Sequence, residues 1–207
     1  VRDSEADCDV DNAQHVFLGC FDRLRAFLEK LGLDGEARVQ KVFEMRLFGA
    51  PGGDLRRKRE FLLRAAPLPP PLHLAPSLLK MGMLSWSERI NLARAMNAIG
   101  RMTEESVQAA AGTNFMDWLR SRRQSPHAVA CYWNFFTLAA LNARAEECDA
   151  SAAFFVFRHG LLKSARASAV GYFSRGQGAI GEAASRYIEA RGGRVALNTA
   201  VKEILVE

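Results

Sequence analysis

A proline-rich stretch, PLPPPLHLAP at positions 67–76, divides the sequence into two parts of different character. It contains five of the seven prolines in the chain. Each proline removes a backbone N–H donor and fixes φ, so the stretch cannot form the interior of a helix. We therefore expect an extended connector here, with different elements before and after it.

The residues before the connector predict a helix followed by a β-hairpin. From position 15 to 31, apolar residues recur at steps of three and four, which is typical of one face of a helix, and Gly32 follows as a stop signal. RVQKVFEMRLF and REFLLRAA are rich in apolar β-branched, aromatic and aliphatic residues and are separated by the turn-forming GAPGGD. We expect these two segments to pair as a hairpin within positions 38–65.

The residues after the connector, from 77 to 164, are predicted to be nearly all helical. Ser85 and Glu88 form the S-x-x-E pattern of a capping box. Thr113 or Asn114 is expected to begin the helix FMDWLRSRR, Pro126 to open the next helix, and Asp149 or Ser151 to cap AAFFVFRHGLL.

The longest uncharged run lies at positions 124–143 and is long enough to consider as a membrane span. Its proline and several polar residues favour a buried helix instead. Further along, AIGEAASRYIEA predicts a helix that ends at Gly192 and Gly193, and RVALN and VKEILVE predict two short strands. The sequence therefore predicts an α+β fold that is mostly helical.

The net charge of +5 comes from 28 basic and 23 acidic residues, and it permits an anionic partner without requiring one. The four cysteines have no C-x-x-C spacing, and the histidines share no ligand spacing, so we predict no metal site. This cysteine usage favours a reducing cytoplasm.

GQGAIG at positions 176–181 matches the G-x-G-x-x-G pattern of dinucleotide-binding turns. A helix follows it, but SAVGYFS before it lacks the apolar run of a central parallel strand. We therefore expect a glycine-rich turn that lets a helix pack closely, and not a phosphate site.

Five segments in order resemble those of squalene-associated FAD-dependent desaturases, also called hydroxysqualene dehydroxylases, in the flavin amine oxidase and phytoene desaturase superfamily. The segments are DNAQHVFLGCF, APLPPPLHL, LSWSERINLARAM, WNFFTLAALNA and GQGAIGEAASRYIEARGGRVALNTAVKEI. The chain departs from the family pattern at Ala13, where glycine is usual, and at Asn134 and Phe135, which replace a Glu-Pro pair.

The resemblance implies the substrate domain of a flavin amine oxidase-like fold, whose C-terminal helix and two strands return to an FAD-binding α/β domain. Positions 1–20 would lie beside the flavin, 21–170 would form the mainly helical substrate domain, and 171–207 would be the return segment. The chain starts at Val1 and ends within a predicted strand, so we expect an incomplete, inactive fragment that lacks the N-terminal FAD-binding motif and needs the rest of the FAD domain.

The implied activity is FAD-dependent reductive dehydroxylation of hydroxysqualene to squalene. Within the superfamily, a carotenoid desaturase of the phytoene type remains the alternative. The resemblance places Asn12, Ala13, Gln14 and His15 beside the flavin ring, with His15 as the catalytic proton donor. It also places the backbone of Val201 against the adenine of FAD.

A long isoprenoid requires an apolar tunnel, and Trp133, Phe135 and Phe136 are the candidate substrate-binding residues, although each is also typical of a helix-packing core. The basic runs LRRKRE and LRSRRQ leave a third hypothesis open, a non-enzymatic helical module that binds membrane or nucleic acid. Few aromatic residues interleave with these runs, which disfavours nucleic acid. We expect a cytoplasmic protein with a peripheral contact on the inner face of the membrane, where LLKMGMLSW could dip into the surface.

Overall fold

The computed structural model describes residues 2–3, 8–9, 15–49 and 59–205. The chain divides into two compact units. The first unit contains Val1–Phe17, Asp22–Arg38 and Tyr172–Glu207, and the second contains Leu18–Phe21 and Val39–Gly171. The sequence analysis places residues 22–38 in the mainly helical substrate domain, at 21–170. In the structure they belong to the first unit, together with the C-terminal part of the chain.

The strands of the described residues are short. They are β1 (Arg2–Asp3), β2 (Cys8–Asp9), β3 (Phe17–Leu18), β4 (Ala37–Val39), β5 (Glu44–Gly49), β6 (Arg59–Arg64) and β7 (Val170–Phe173). β1 pairs antiparallel with β2, β5 pairs with β6, and a third sheet has the order β3, β7, β4.

Helical segments contain about half of the described residues. They are α1 (Asp22–Lys30), α2 (Ala75–Leu79), α3 (Trp86–Gly100), α4 (Glu104–Gln108), α5 (Phe115–Ser121), α6 (Pro126–Ala128), α7 (Asn134–Leu141), α8 (Ala150–Phe155), α9 (Ala165–Ser168) and α10 (Gly178–Glu189). Two π-helical segments, Val129–Trp133 and Val156–Leu162, continue α6 into α7 and extend α8. Short 3-10 turns lie at Asp34–Glu36 and Leu72–Leu74.

The predicted first helix is shorter than the apolar spacing suggested. α1 begins at Asp22, and Phe17 lies in β3, where its ring centroid is 5.2 Å from that of Phe173. In the core of the first unit, Leu28 packs with Leu33 and Ala183. α1 ends before Gly32, whose φ of +70° is a left-handed conformation that glycine adopts without strain.

The segment predicted as a hairpin contains the antiparallel pair β5 and β6, in which Leu47 lies opposite Phe61 and Met45 opposite Leu63. Leu47, Phe61 and Leu63 are buried, whereas Phe48, next to Leu47, and Leu62, between Phe61 and Leu63, are exposed, which is the alternation of a sheet with one covered face. The predicted turn GAPGGD lies almost entirely outside the described residues, as does most of the basic run LRRKRE.

The proline-rich stretch is an extended connector in part. From Leu72 the chain is helical, first as a 3-10 turn and then as α2, so the prediction is wrong for that portion. Pro76 is accommodated because it lies in the first turn of α2, where a backbone N–H has no partner within the helix.

The predicted helix starts are confirmed. Ser85 and Glu88 form the capping box of α3, and the side chains of Asn114 and Asp149 accept backbone N–H groups at the starts of α5 and α8. Pro126 lies in the first turn of α6, and Ser125 caps that helix. These signals succeed because each cap acts within about one helical turn.

The two predicted C-terminal strands are not formed in the described residues. Positions 194–205 have no strand, and large apolar side chains of this segment are about four-fifths exposed. A strand needs a neighbouring strand to pair its backbone, and among the described residues none lies alongside this segment. The described helices also include none with the length and apolar character to cross a membrane.

The glycine pattern at 176–181 follows β7 and opens α10. Gly176 has φ +72°, so this position favours glycine for its backbone conformation. A Cβ at Gly178 or Gly181 would meet nothing within 4 Å, so close packing does not explain these two glycines. That part of the sequence interpretation is wrong, and the expectation that the loop is not a phosphate site stays a prediction.

Candidate functional site

The residues expected beside the flavin begin just before β3. Asn12, Ala13 and Gln14 lie outside the described residues. His15 is exposed, and its imidazole makes no hydrogen bond to another described residue.

Val201, the residue expected against the adenine, lies in the C-terminal segment of the first unit that has no regular structure. Its side chain is 78% exposed, and no hydrogen bond of its backbone to another described residue is present. A free N–H and C=O are the groups that a backbone contact to a base requires.

The candidate substrate-binding residues belong to the second unit, and two of them are core residues. Trp133 and Phe136 are buried, and both contact the ring of Phe157, at centroid distances of 4.9 and 5.9 Å. Phe115 also packs against Trp133 and Phe157, at 5.7 and 6.0 Å. The structure therefore brings Trp133 and Phe136 together in an aromatic cluster.

The indole N–H of Trp133 also has a hydrogen-bond acceptor within the protein. It donates to the side-chain oxygen of Gln124 at 2.9 Å, and Gln124 is itself buried. A buried indole with a protein partner is held in one orientation, so Trp133 supports the shape of the cluster.

Phe135 differs from its neighbours because it faces outward from α7 and is 40% exposed. Leu138, one turn further along the same face, is 44% exposed. These two side chains provide an accessible apolar surface above the aromatic cluster. The ring of Phe135 lies 5.2 Å from that of Phe136, measured between centroids, and this contact connects the surface to the core.

A polar cavity of about 420 Å³ in the second unit was missed by the sequence reasoning. Its lining includes Arg158, His159 and Lys163. The Glu104 carboxylate pairs with Arg158 and lies 3.4 Å from Nε2 of His159. The hydrogen bond from Arg158 holds the pKa of Glu104 below its ordinary value. No local pattern signals this site, because α4 and the second π-helical segment meet only in the fold.

A second cavity, of about 540 Å³, is lined mainly by apolar groups of the connector, α2 and the start of α9. Arg64 and Lys80 add two cationic groups to its wall. Among the described residues, no three histidine, cysteine or acidic side chains gather in a way that could hold a metal ion.

Comparison with known protein families adds the decisive observation. The family model of flavin-containing amine oxidoreductases matches residues 2–207, which is nearly the whole chain. The chain belongs to the flavin-containing amine oxidoreductase family. No curated protein in the comparison matches the chain significantly.

Membership of the flavin-containing amine oxidoreductases makes the protein a flavin-dependent oxidoreductase, with FAD the usual form of the cofactor. The described residues of the expected flavin contacts fit such a group. Neither the imidazole of His15 nor the backbone of Val201 forms a hydrogen bond to a described residue. Both belong to the first unit.

Proposed function

We propose that the protein acts on a long isoprenoid and converts hydroxysqualene to squalene by reductive dehydroxylation. The carrying observation is the ordered set of five segments, from DNAQHVFLGCF to LNTAVKEI, which resembles hydroxysqualene dehydroxylases within the family that the chain belongs to. The apolar second unit supports the proposal, because a hydrocarbon substrate is held by apolar side chains and requires no ionic anchor.

FAD, when bound in its reduced form, would supply the hydride for this chemistry. The C–O bond of the substrate would break, the carbon would gain the hydride, and the hydroxyl would leave as water after taking a proton. The exposed imidazole of His15 would donate that proton. The backbone of Val201 would hold the adenine end of the cofactor.

The side chains of Phe135 and Leu138 would bind the isoprenoid chain and exclude water from it. Trp133 and Phe136 would support that surface from below, as their burial and ring contacts indicate. In this proposal, the burial of the substrate's apolar surface against Phe135 and Leu138 provides the affinity, and the imidazole of His15 acts at the departing hydroxyl.

The proposal is tested by anaerobic incubation of the flavin-bound protein with a reductant and hydroxysqualene, with products identified by mass. We expect squalene and the loss of one oxygen atom from the substrate. A preparation that leaves hydroxysqualene unchanged and desaturates phytoene would instead assign the protein to the carotenoid branch.

The role of His15 is tested by His15→Ala. Loss of a general acid is expected to reduce the rate of the chemical step by about 10²- to 10⁴-fold, with little change in substrate binding. Single-turnover kinetics separates the two effects. His127→Ala removes another exposed imidazole as a control and should leave the step unchanged. Equal losses in both variants would contradict the assignment.

A further inference from the structure

One surface of the second unit combines exposed apolar and basic side chains. We call it the α2–α3 face, because it extends from the end of α2 along α3. Its members are Leu79, Lys80, Trp86, Arg89, Ile90 and Arg94.

The face follows the outer side of α3. Trp86, Ile90 and Arg94 recur at steps of four, which places them in one stripe of the helix. Trp86 is 66% exposed and Ile90 is 43% exposed. The core side of the same helix is already covered, with Leu92 and Met96 buried. α3 therefore has a second stripe, with two apolar side chains and one basic side chain, which the described residues leave exposed.

Arg89 fixes the geometry of this face. Its guanidinium donates to the backbone carbonyls of Leu84 and Leu79, both at 2.8 Å. The guanidinium carbon lies 4.7 Å from the centre of the Trp86 ring. These contacts hold the exposed indole near Leu79, which is 41% exposed. The apolar surface is thus preorganised and keeps a cation beside it.

The face is cationic because acidic residues are nearly absent from its segment. Between Ala65 and Met102 the sequence has one acidic residue, Glu88. Its carboxylate accepts hydrogen bonds from Ser85 and Ser125, and its side chain is 16% exposed. Lys80, Arg89 and Arg94 therefore have no exposed carboxylate of this segment to neutralise them.

Two neighbouring features extend the same character. The side chain of Asn91 donates to the backbone carbonyl of Arg123 at 3.3 Å, which brings the basic run LRSRRQ beside α3. Lys80 also lines the cavity of about 540 Å³, whose walls are mainly apolar. A headgroup bound at Lys80 would lie next to an apolar recess of the size that holds small ligands.

We propose that the α2–α3 face binds the surface of an anionic phospholipid membrane. Exposed tryptophan is favoured at the boundary between headgroups and acyl chains, and leucine and isoleucine enter the same depth. Each basic residue near an anionic surface contributes attraction that salt weakens. The inference does not depend on which substrate the protein uses.

Trp86 provides a direct probe of this contact. The chain has three tryptophans; Trp133 is buried and Trp118 is half-buried, so Trp86 is the most exposed indole. The flavin-bound protein is mixed with vesicles of phosphatidylglycerol and phosphatidylcholine, or of phosphatidylcholine alone. We expect sedimentation with the anionic vesicles, a blue shift of tryptophan emission and weaker quenching by acrylamide. Trp86→Phe should remove the blue shift while the protein still sediments.

The charge contribution is tested by Lys80→Glu combined with Arg94→Glu. We expect at least about a tenfold loss of affinity for anionic vesicles, from the attraction that each basic residue supplies. Arg23→Glu combined with Arg144→Glu makes the same change in net charge at exposed positions without an ion pair among the described residues. Unfolding temperatures confirm that all variants are folded.

Three outcomes would overturn the proposal. Equal losses in the two double variants would assign binding to net charge and not to this face. Absence of binding to anionic vesicles would remove the membrane as the partner. A change in molecular mass on Trp86→Ala, in a protein that ignores vesicles, would make the face a contact between copies of the chain.

Discussion

At the scale of single residues, Glu88 connects two helix starts. One carboxylate oxygen accepts from the backbone N–H and hydroxyl of Ser85, and the other accepts from Ser125 and His127. Burial opposes ionisation of this group, but the hydrogen bonds outweigh it and lower its pKa from 4.5 to about 2. The ionised form is therefore the one that the folded state favours.

This pKa shift predicts a specific pH dependence of stability. Because the pKa is lower in the folded state, the stabilisation is complete above the unfolded value near 4.5 and is lost as the pH falls toward 2. Glu88→Gln keeps a side chain that can complete a capping box but cannot titrate. We expect its unfolding temperature to fall less steeply than that of the wild type between pH 4.5 and pH 2. Parallel curves would contradict the assignment of the shift to Glu88.

Trp133 and Phe135 are neighbours in sequence with different expected roles. Trp133→Ala empties part of a buried cluster, so we expect a loss of about 3–5 kcal/mol in the free energy of unfolding. Phe135→Ala changes an accessible side chain and should cost about 0.5 kcal/mol or less while raising KM for the isoprenoid. Denaturant unfolding and steady-state kinetics on the same preparations check both. An unchanged KM in Phe135→Ala would remove it from the substrate surface.

At the scale of elements, two glycines give opposite expectations for the same substitution. A Cβ on Gly19 would lie 2.0 Å from the backbone oxygen of Arg166, so Gly19→Ala should destabilise the protein by about 1–3 kcal/mol. A Cβ on Gly181 in α10 meets nothing, so Gly181→Ala should stabilise by about 0.5–1 kcal/mol. Thermal unfolding measures both. Flavin content of Gly181→Ala should be unchanged, and its loss would restore a phosphate role for the glycine loop.

The elements that could be predicted from sequence are those whose signals are local. The side chains of the caps Ser85, Asn114 and Asp149 accept hydrogen bonds from backbone N–H groups of the next turn, so the local sequence is enough to predict these helix starts. Phe17 shows the limit of periodicity, because its spacing fits α1 but its pairing places it in a strand. The prediction of the two C-terminal strands was wrong for a related reason, because a strand forms only beside a partner strand, which a sequence pattern does not identify.

The candidate site shows the same limit more strongly. At the polar cavity, Glu104 contacts Arg158 and His159, which are far from it in the sequence. The spacing of residues along the chain therefore does not predict this site. The aromatic residues were identified as a group, but composition could not distinguish buried Trp133 from exposed Phe135. The roles of His15 and Val201 come from family resemblance, and they stay predictions.

At the scale of the whole molecule, the expected cofactor contacts and the expected substrate contacts belong to different units. This separation predicts that substitutions in the first unit change flavin retention. If the backbone of Val201 holds the cofactor, Val201→Pro should lower flavin content because it removes the N–H, and Val201→Ala should retain flavin. Absorbance after desalting measures both. Equal flavin content in the two variants would exclude a backbone contact.

The two π-helical segments give the molecule a tolerance of one-residue changes in chain length. Each contains one of the rings that meet in the aromatic cluster, Trp133 in the first and Phe157 in the second. A wide turn of this kind contains one residue more than an α-helical turn. Deleting a residue from a regular α-helix would rotate every later side chain by about 100°, whereas deleting the extra residue of a wide turn would return that turn to α-helical spacing and leave the later side chains in place. Homologous chains that lack one residue in Val156–Leu162 would therefore keep the later side chains of this helix in the same orientation.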